Sequence, residues 1–427
     1  MKTDEKHTGA AEERTLPVKT DKKRSDAAEA RQVSVKTDKR HRGVAEARTL
    51  PVETAENNAG IAEDRLERVR ADINATDTHL LALLNKRAAL SIEAGKIKAQ
   101  NDAPVFRPGR EEAVLERLTA ANKGPLPNDH LRAVYREILS SSRALQRSLR
   151  VAFLGPEGTF SHMACLEYFG RGFTGAPMQR MDAVFAAVEK RDCDLGIVPV
   201  ENSVYGTVAQ SFDLFVTHTV HVQAEWFSRI RLCLIGKENS LTAVRRVYSH
   251  PQPLGQCSGW LKDNLPHAEQ ISMESSVFAA ERAAGEAGAA AVCRPGMGER
   301  LNLNTLASGI EDLPDNLTRF FVIGAEPAAE RKVPTAPLKS SILFIIPDKP
   351  GSLATVLQSF FLAGINLSKL ESRPMRGESW KYIFFADLDC DITAPHYAGL
   401  LETLHRTCLQ VRILGSYHSG RHIRTPE

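Results

Sequence analysis

Apolar positions recur at helical spacing in the first part of the chain. Between Ala62 and Asn101 there is no proline, and the repeating positions are Leu66, Val69, Ile73, Leu80, Leu84 and Ala88. This spacing predicts a helix roughly 55 Å long, which is longer than one small domain covers, so we expect a partner chain beside it. Two shorter helices are predicted over residues 111–122 and 128–150.

From Val151 the pattern changes to short apolar runs that alternate with helices. Six runs have the residue types and lengths of buried strands: VAFLG, LGIVPV, RLCLIG, RVYSH, AAVC and RFFVIG. The alternation predicts an α/β fold. We expect the chain to leave a first lobe near Trp226 and to return near Phe320, so that two lobes enclose a cleft.

A proline-containing stretch over residues 327–339 predicts a linker. Beyond it, strands are predicted at 341–346, 365–372, 382–389 and 411–417, with helices at 352–363 and 396–408. This order of elements predicts a ferredoxin-like α+β domain over residues 340–420, followed by a short tail over 421–427.

The beginning of the chain repeats a polar segment. Arg14, Arg31, Arg48 and Arg65 are each 17 positions apart, and mixed charges surround them. The repeat lacks the apolar positions that a solenoid must bury, so it predicts a disordered tail over residues 1–58. The predicted organisation is then a three-helix all-α domain over 59–150 and a two-lobed α/β domain over 151–326.

Composition narrows the classes of function. The chain has 427 residues, a 42% apolar and 25% charged composition and a net charge of +3, which is typical of a globular protein and does not indicate a nucleic-acid partner. No apolar run approaches the length of a membrane span, and no signal peptide is recognisable. Seven scattered cysteines predict free thiols in the cytoplasm, and no spacing indicates a metal or a cofactor.

Two cations interrupt the apolar stripe of the long predicted helix. Arg87 lies three residues beyond Leu84, and Lys98 lies eleven beyond Arg87, so both are expected on the covered face. Buried cations indicate an anionic ligand, although snorkelling side chains on a helix flank are the alternative. Arg70 points away from that stripe, so we expect it to serve the same site only from another helix.

Three helices with these cations resemble the all-helical chorismate mutase domain, an intertwined dimer. The resemblance covers residues 62–148 and rests on Arg70, Arg87, Lys98, the loop PVFRPGRE with Arg107, Arg110 and Glu111, and the pair Ser142 and Gln146. It implies that the arginines hold the two substrate carboxylates, one arginine coming from the partner. It also implies that Lys98 and Gln146 bind the ether oxygen. Some members have an aspartate where this chain has Arg107, so contact with the substrate hydroxyl is expected from Glu111.

Four polar loops of the α/β part break between an apolar run and a helix or strand. They contain Glu201 and Asn202, the segment GPEGTFS with Thr159 and Ser161, the segment SHPQPLGQC, and the segment NLTRF. Ligands of open α/β sheets bind at the carboxyl ends of strands, which favours a site here. Solvated turns and helix caps are the alternative explanation for the same residues.

These four motifs, in this order, resemble prephenate dehydratase over residues 151–324. The resemblance implies two lobes like those of periplasmic binding proteins, with loss of carbon dioxide and water from prephenate in the cleft between them. It implies that Thr318 lies beside the leaving hydroxyl and that Arg319 binds a carboxylate, although a structural role for Arg319 is also open. The remaining residues expected to line the cleft are Thr159, Ser161, Glu201, Asn202, Ser249 and Gln256; His250 is either structural or catalytic.

The last predicted domain carries two further motifs. Gly351, Ser352 and Leu353 in PGSL, and Asn366, Leu367, Glu371, Ser372 and Arg373 in NLSKLESRP, resemble the amino-acid-binding ACT domain. The resemblance implies that L-phenylalanine binds there and inhibits the dehydratase. A purely dimerising domain is the alternative.

Together the resemblances imply a cofactor-free enzyme with chorismate mutase and prephenate dehydratase activities, phenylalanine feedback, and an even-numbered homo-oligomer. Three other hypotheses stay open at this point: an arogenate-using dehydratase, a solute receptor, and a regulatory module with an inactive mutase half.

Overall fold

A computed structural model describes residues 53–101, 105–328, 337–375 and 382–420. Two compact units divide the chain, Met1–Asn74 and Ala75–Glu427, and the described part of the first unit is the beginning of one long helix. Residues 1–52 of the predicted tail and most of the predicted linker lie outside the described residues. A helix begins at Glu53, inside the range 1–58 that the sequence predicts as a tail.

Three helices form the first domain: α1 Glu53–Gln100, α2 Pro108–Ala121 and α3 Asn128–Gln146. With 48 residues, α1 is about 72 Å long. Pro108 begins α2, where its missing N–H costs no hydrogen bond. The third helix is shorter than predicted, because Leu149 and Arg150 already pair with a neighbouring strand.

Helix α1 leaves large apolar side chains exposed along its length: Leu66, Val69, Ile73, Leu80, Leu81, Leu83, Leu90, Ile92 and Ile97. An apolar surface of this extent is typical of a protein interface. In the described part of the chain, no helix is both long and apolar enough to span a membrane.

The two-lobed part follows, and it contains the six predicted strands together with five others that the sequence pattern did not predict. The strands are β1 Leu149–Leu154, β2 Phe173–Met178, β3 Leu195–Asn202, β4 Gly206–Thr207, β5 His221–Arg229, β6 Cys233–Gly236, β7 Arg246–Ser249, β8 Glu269–Ser272, β9 Ala289–Cys293, β10 Asn304–Ser308 and β11 Leu317–Gly324. The helices are α4 Phe160–Phe169, α5 Met181–Glu189, α6 Ala209–Thr217, α7 Pro251–Gln256, α8 Ser258–Asn264, α9 Ser276–Gly285 and α10 Met297–Leu301.

Each lobe has its own sheet. The first sheet has the order β2-β1-β3-β11-β5, with β4 beside β3, and the second has the order β10-β6-β9-β7-β8. Strands β5 and β11 are antiparallel neighbours in which Leu317 pairs with Arg229. The chain therefore leaves the first lobe at the end of β5 and returns at the start of β11, close to the predicted crossovers.

The C-terminal domain has the predicted ferredoxin-like order. Its elements are β12 Leu338–Ile345, α11 Ser352–Leu362, β13 Leu367–Pro374, β14 Tyr382–Leu388, α12 Ala398–Thr407 and β15 Gln410–His418, and the sheet order is β13-β14-β12-β15. Its helices cover one face of the sheet. The other face packs on the first lobe, where the rings of Phe212 and Phe385 are 4.8 Å apart.

A buried group of charged residues joins the first lobe to the C-terminal domain. Arg319 Nε lies 2.7 Å from Glu225 Oε2, and its Nη1 lies 2.5 Å from Asp387 Oδ2. Tyr417 and Lys339 complete this interdomain network, with the Lys339 ammonium 3.2 Å from Glu225 Oε1. All five residues are buried. The expectation that Arg319 binds a substrate carboxylate is thus corrected, because two protein carboxylates already occupy its guanidinium.

The interdomain network predicts that removing a buried cation lowers the free energy of unfolding much more than removing an exposed one. Replacing Arg319 by Met leaves Glu225 and Asp387 buried without this cation, so we expect a loss of about 3–5 kcal/mol of unfolding free energy. Arg191, whose pair with Glu326 is exposed, is the matched control, and Arg191→Met should change stability by less than about 1 kcal/mol. Urea unfolding measures both, and equal losses would contradict the assignment.

Candidate active sites

Side chains of α1 and α3 meet where the sequence places cations on the covered stripe. Arg87 donates to the Ser142 hydroxyl and to the Ile138 carbonyl. Lys98 Nζ donates to Gln146 Oε1 at 3.0 Å. The helices approach closely because residue 95 is glycine: a Cβ there would lie 2.9 Å from Gln146 Cγ. We call Arg87, Lys98, Glu111, Ser142 and Gln146 the helical cluster.

Glu111 supplies the carboxylate of the helical cluster. It lies in the first turn of α2, and burial raises the pKa of its carboxyl group. The positive charges of Arg143, Lys98 and Arg87 counteract this rise. The cluster therefore combines positive charges with one carboxylate whose protonation is sensitive to its neighbours.

Arg143 was not selected from the sequence, although it follows Ser142 directly. It is buried, and its guanidinium donates to Glu111 and to the carbonyl of Phe169 at the end of α4. Its guanidinium carbon also lies 5.4 Å from the centre of the Phe106 ring. Arg143 thus holds Glu111 in place and ties the helical cluster to the first lobe.

The other residues predicted for the helical site lie outside this cluster. Arg70 and Arg110 are exposed, and Arg107 is partly buried at the residue preceding α2. Arg70 belongs to the other unit of the chain, and its expected role from a partner subunit stays a prediction.

A cavity of about 300 Å³ lies between the two lobes. First-lobe residues that line it include Thr159, Ser161, Asn202 and Thr318, and second-lobe residues include Gln256 and Arg294. Six of the eight dehydratase residues predicted from the motifs are buried polar groups, but only part of the predicted set faces this cavity.

Thr318 and Asn202 form the polar centre of the cavity wall. They are paired across β11 and β3, and Asn202 Nδ2 donates to Thr318 Oγ1 at 2.9 Å. Asn202 is held in turn by Asn316 and by the N–H groups of Val204 and Tyr205. Because the Thr318 oxygen accepts from Asn202, its own O–H is left to donate, and no described residue accepts that proton.

Three more predicted residues line the cavity. The Thr159 hydroxyl caps α4 and donates to the Leu154 carbonyl, so it is already used by the fold. Ser161 and Gln256 are each 6% exposed. Within the described residues their side chains have no hydrogen-bond partner, so they are available to a ligand.

Two other predicted residues lie elsewhere, and these expectations are corrected. Glu201 points to the C-terminal domain, where Lys369 Nζ lies 2.9 Å from its Oε1. Neighbouring strand residues face opposite sides, so Glu201 turns away when Asn202 faces the cavity. Ser249 is fully buried and donates to the Val292 carbonyl at 2.6 Å, which holds β7 against β9. Arg319 is turned away with Glu201.

Sequence reasoning missed Arg294, which lines the cavity immediately after β9. Arg294 directly follows the predicted strand AAVC, and a residue at the carboxyl end of a strand is a candidate for ligand binding. His250 also lines the cavity, and its Nδ1 accepts from the Gln252 N–H and caps α7. Burial lowers the pKa of His250, which favours the neutral ring that this cap requires.

The two ACT motifs lie at different places in the C-terminal domain. Gly351 has a φ of 86° and precedes α11, and a Cβ there would meet no atom within 4 Å. Ser352 and Leu353 begin α11, and Leu367 begins β13. Asn366 donates to Asp389 at 2.6 Å.

Strand β13 shows a strict alternation of faces. Glu371 accepts from the Thr207 hydroxyl at 2.9 Å, and Arg373 Nε lies 3.0 Å from Asp213 Oδ1, so both side chains contact the first lobe. Ser372 lies on the opposite, exposed face. The side chains of Glu371 and Arg373 are therefore engaged by the first lobe, and Ser372 between them is exposed.

A helical cluster of cations, a two-lobed cavity and a ferredoxin-like domain define a multidomain enzyme for small anionic substrates. Family models match in the same order: chorismate mutase type II over residues 69–147, prephenate dehydratase over 151–328 and ACT domain over 340–405.

Proteins with similar sequences indicate the same two enzymes. A bifunctional chorismate mutase/prephenate dehydratase of Aquifex aeolicus is 38% identical over 357 residues, covering 82% of this chain and 97% of the relative. The chain belongs to the bifunctional chorismate mutase/prephenate dehydratase family, which confirms the resemblances stated above.

Two solved structures are similar over the last two domains. A prephenate dehydratase of Arthrobacter aurescens in complex with L-Phe is 30% identical, with a TM-score of 0.59, and covers 65% of this chain and 92% of its own. A protein described as a novel quorum-quenching acylase is 28% identical, with a TM-score of 0.57, over 63% of this chain and 98% of its own. Shared fold alone does not transfer a reaction.

The contact between Arg143 and Glu111 predicts a change in the pH dependence of the mutase reaction. Removing the cation by Arg143→Met raises the pKa of Glu111 further, so the carboxylate is lost at a higher pH. We expect the acid side of the kcat/KM profile to move to higher pH, with the alkaline side unchanged.

The matched control for this prediction is Arg147→Met. Arg147 is exposed and pairs with Asp194, so its removal should leave the profile in place. Mutase rates across the pH range measure both variants, and superimposable acid limbs for Arg143→Met and the unaltered protein would contradict the role given to Arg143.

Proposed function

We propose that the chain converts chorismate to prephenate at the helical cluster and prephenate to phenylpyruvate in the cavity between the lobes. The observation that carries the proposal is the presence, on one chain, of two separate polar sites that coincide with the two matched family regions. The similarity to the acylase reflects a shared fold and does not by itself indicate a further reaction.

The mutase reaction needs no proton transfer. It requires a compact substrate conformer and stabilisation of the charge that develops on the ether oxygen as the C–O bond breaks. Arg87 binds a substrate carboxylate, and Lys98, held by Gln146 and the Val105 carbonyl, places its ammonium toward the ether oxygen. Glu111 accepts a hydrogen bond from the substrate hydroxyl, and Arg143 stabilises its ionised form.

The dehydratase reaction breaks two bonds of the ring. As the ring carboxylate leaves as carbon dioxide, its electron pair completes the aromatic ring and expels the hydroxyl group, which takes up a proton to become water. Thr318 donates a hydrogen bond to that hydroxyl, because its own oxygen is occupied by Asn202. A threonine hydroxyl is a weak acid, so Thr318 relays a proton or stabilises the departing oxygen instead of supplying a proton by itself.

An even-numbered oligomer, with a second copy covering the apolar face of α1, completes the mutase site. The exposed apolar residues of α1 support this assembly, and they include Leu80, Leu81 and Leu83. In such a pair the exposed Arg70 contributes to the partner's helical cluster, and Arg107 and Arg110 lie at its rim. The mass of the native protein in solution tests the assembly.

Phenylalanine binds the C-terminal domain near Gly351, Ser352, Leu353, Asn366 and Leu367 and inhibits the dehydratase. The L-Phe complex of the similar Arthrobacter dehydratase supports this assignment. Lys369 of β13 contacts Glu201 and Thr207 of the first lobe, and we infer that this contact links the domain to the cavity wall. Glu201 adjoins Asn202, so a shift of β13 acts on the residue that orients Thr318.

Two finer points complete the proposal. All seven cysteines have free thiols, which suits the reducing cytoplasm. Prephenate is the preferred substrate, with arogenate as the alternative, and rates on the two compounds at equal concentration decide between them.

Separate sites predict that the two activities can be lost independently. We expect Arg87→Ala to lower mutase kcat/KM by roughly 10²- to 10³-fold, because it removes a charged hydrogen-bond donor, and to leave prephenate turnover intact. Thr318→Ala should have the reverse effect, of similar size. Following chorismate loss and phenylpyruvate formation in each variant measures this, and a folded variant that loses both reactions would refute the two-site assignment.

The contact of Lys369 with Glu201 predicts weaker feedback when it is removed. Lys369→Met should reduce the inhibition by phenylalanine at least about fivefold, within the usual range of coupling between sites. Phenylalanine binding in the absence of substrate should stay near its original strength. Dehydratase rates against phenylalanine concentration, with calorimetry for binding, measure both quantities.

The control for feedback is Lys262→Met, which removes an exposed lysine of the second lobe. Inhibition in this variant should match the unaltered protein. If Lys369→Met is inhibited as strongly as the control, the signal does not pass through this contact.

A further inference from the structure

Arg294 presents an unpaired positive charge to the cavity between the lobes. Within the described lining it is the one arginine, and no lysine accompanies it. It is half-buried, and no described carboxylate lies within ion-pair distance of it. Burial lowers the pKa of its guanidinium, as expected for a charge held away from water, yet an arginine stays protonated in a protein.

The orientation of this guanidinium is set by two backbone carbonyls. Arg294 Nε donates to the Gly158 carbonyl at 2.8 Å, and Nη1 donates to the Pro295 carbonyl at 2.9 Å. Gly158 has a φ of 92°, and a Cβ there would lie 2.8 Å from Met297 Cε, so glycine permits this approach of the loop. A guanidinium has five N–H groups, and the remaining ones are left for a ligand.

Other groups in the cavity also lack protein partners. Ser161 and Gln256 are each only 6% exposed, line the cavity and have no side-chain hydrogen bond among the described residues. Both residues line the cavity, so their side chains are free to hydrogen-bond a ligand that has polar atoms of its own. Together with Arg294 they form a site for an anionic group with hydrogen-bond acceptors.

We propose that Arg294 binds the side-chain carboxylate of prephenate, the one that phenylpyruvate retains. This proposal rests on the cavity being the dehydratase site. The ring carboxylate must become neutral carbon dioxide, so a guanidinium paired with it would stabilise the charged ground state and slow the reaction. The retained carboxylate keeps its charge throughout, so binding it does not oppose the chemistry.

This assignment orients the substrate across the cavity. Arg294 belongs to the second lobe and holds the side chain, whereas Thr318 belongs to the first lobe and meets the ring hydroxyl. The competing explanation is a structural one, in which the bond from Arg294 to Gly158 simply holds the lobes together. The two explanations differ in which ligands they affect, because only a carboxylate site distinguishes charged from neutral ligands of similar shape.

The test compares Arg294→Gln and Arg294→Lys with Arg300→Gln. Arg300 is an exposed arginine near the same glycine, at 3.4 Å from a Cβ placed on Gly158, and it does not line the cavity, so it controls for a general loss of positive charge. Three quantities are measured: kcat and KM for prephenate, the inhibition constant of phenylpyruvate, and that of phenylacetone, which lacks the carboxylate. Mutase activity of each full-length variant reports correct folding.

We expect Arg294→Gln to raise the KM for prephenate and the inhibition constant of phenylpyruvate by roughly 10- to 150-fold, the usual effect of losing a charged hydrogen bond. The inhibition constant of phenylacetone should stay within about twofold of its original value. Arg294→Lys should raise the KM and the phenylpyruvate constant by less than Arg294→Gln does, and Arg300→Gln should leave both near their original values.

Three results would overturn the proposal. Equal weakening of phenylacetone and phenylpyruvate would indicate the structural role. A raised KM for prephenate with unchanged phenylpyruvate binding would assign Arg294 to the ring carboxylate. Unchanged constants for Arg294→Gln, in a protein that Thr318→Ala inactivates, would remove Arg294 from the site, whereas full activity of Thr318→Ala would show that the cavity itself is not the dehydratase site.

Discussion

The alternation of side chains along β3 and β11 organises the dehydratase and its regulation. Neighbouring residues of a strand face opposite sides, and residues paired across two strands share a side. Asn202 and Thr318 therefore face the cavity together, while Glu201 and Arg319 face the C-terminal domain. The proposed catalytic contacts and the contacts to the C-terminal domain therefore lie on opposite faces of the same two strands.

The interdomain network makes this arrangement specific. Removing several charges from water has a high cost, and it is offset only when every charge has its partners. Arg319 meets Glu225 and Asp387, and Lys339 meets the second oxygen of Glu225, so each group is matched in one docking geometry. A displaced C-terminal domain would leave buried charges unpaired. We interpret the network as a device that restricts the two domains to few relative positions, as a regulatory domain requires.

The sequence predicted the elements well because their signals are local. Helical spacing in α1 and short apolar runs in the lobes depend on neighbours a few residues apart. Which side of a strand faces a cleft depends on distant pairing, and here the prediction failed: Thr318 and Arg319 were both assigned to the cleft, although adjacent strand residues cannot both face it. Arg294 was missed because its setting depends on Gly158, 136 positions earlier in the chain.

The two sites treat similar dianions differently, and the chemistry explains why. Arg87 and Lys98 of the helical cluster, with Arg143 beside them, place three positive charges near Glu111, which suits a rearrangement in which both carboxylates survive. In the described lining of the cavity, Arg294 is the single arginine or lysine, which suits a reaction in which one carboxylate must lose its charge. A second cation there would stabilise the bound substrate without stabilising the transition state. We therefore interpret the scarcity of positive charge in the described lining as part of the function proposed for the cavity.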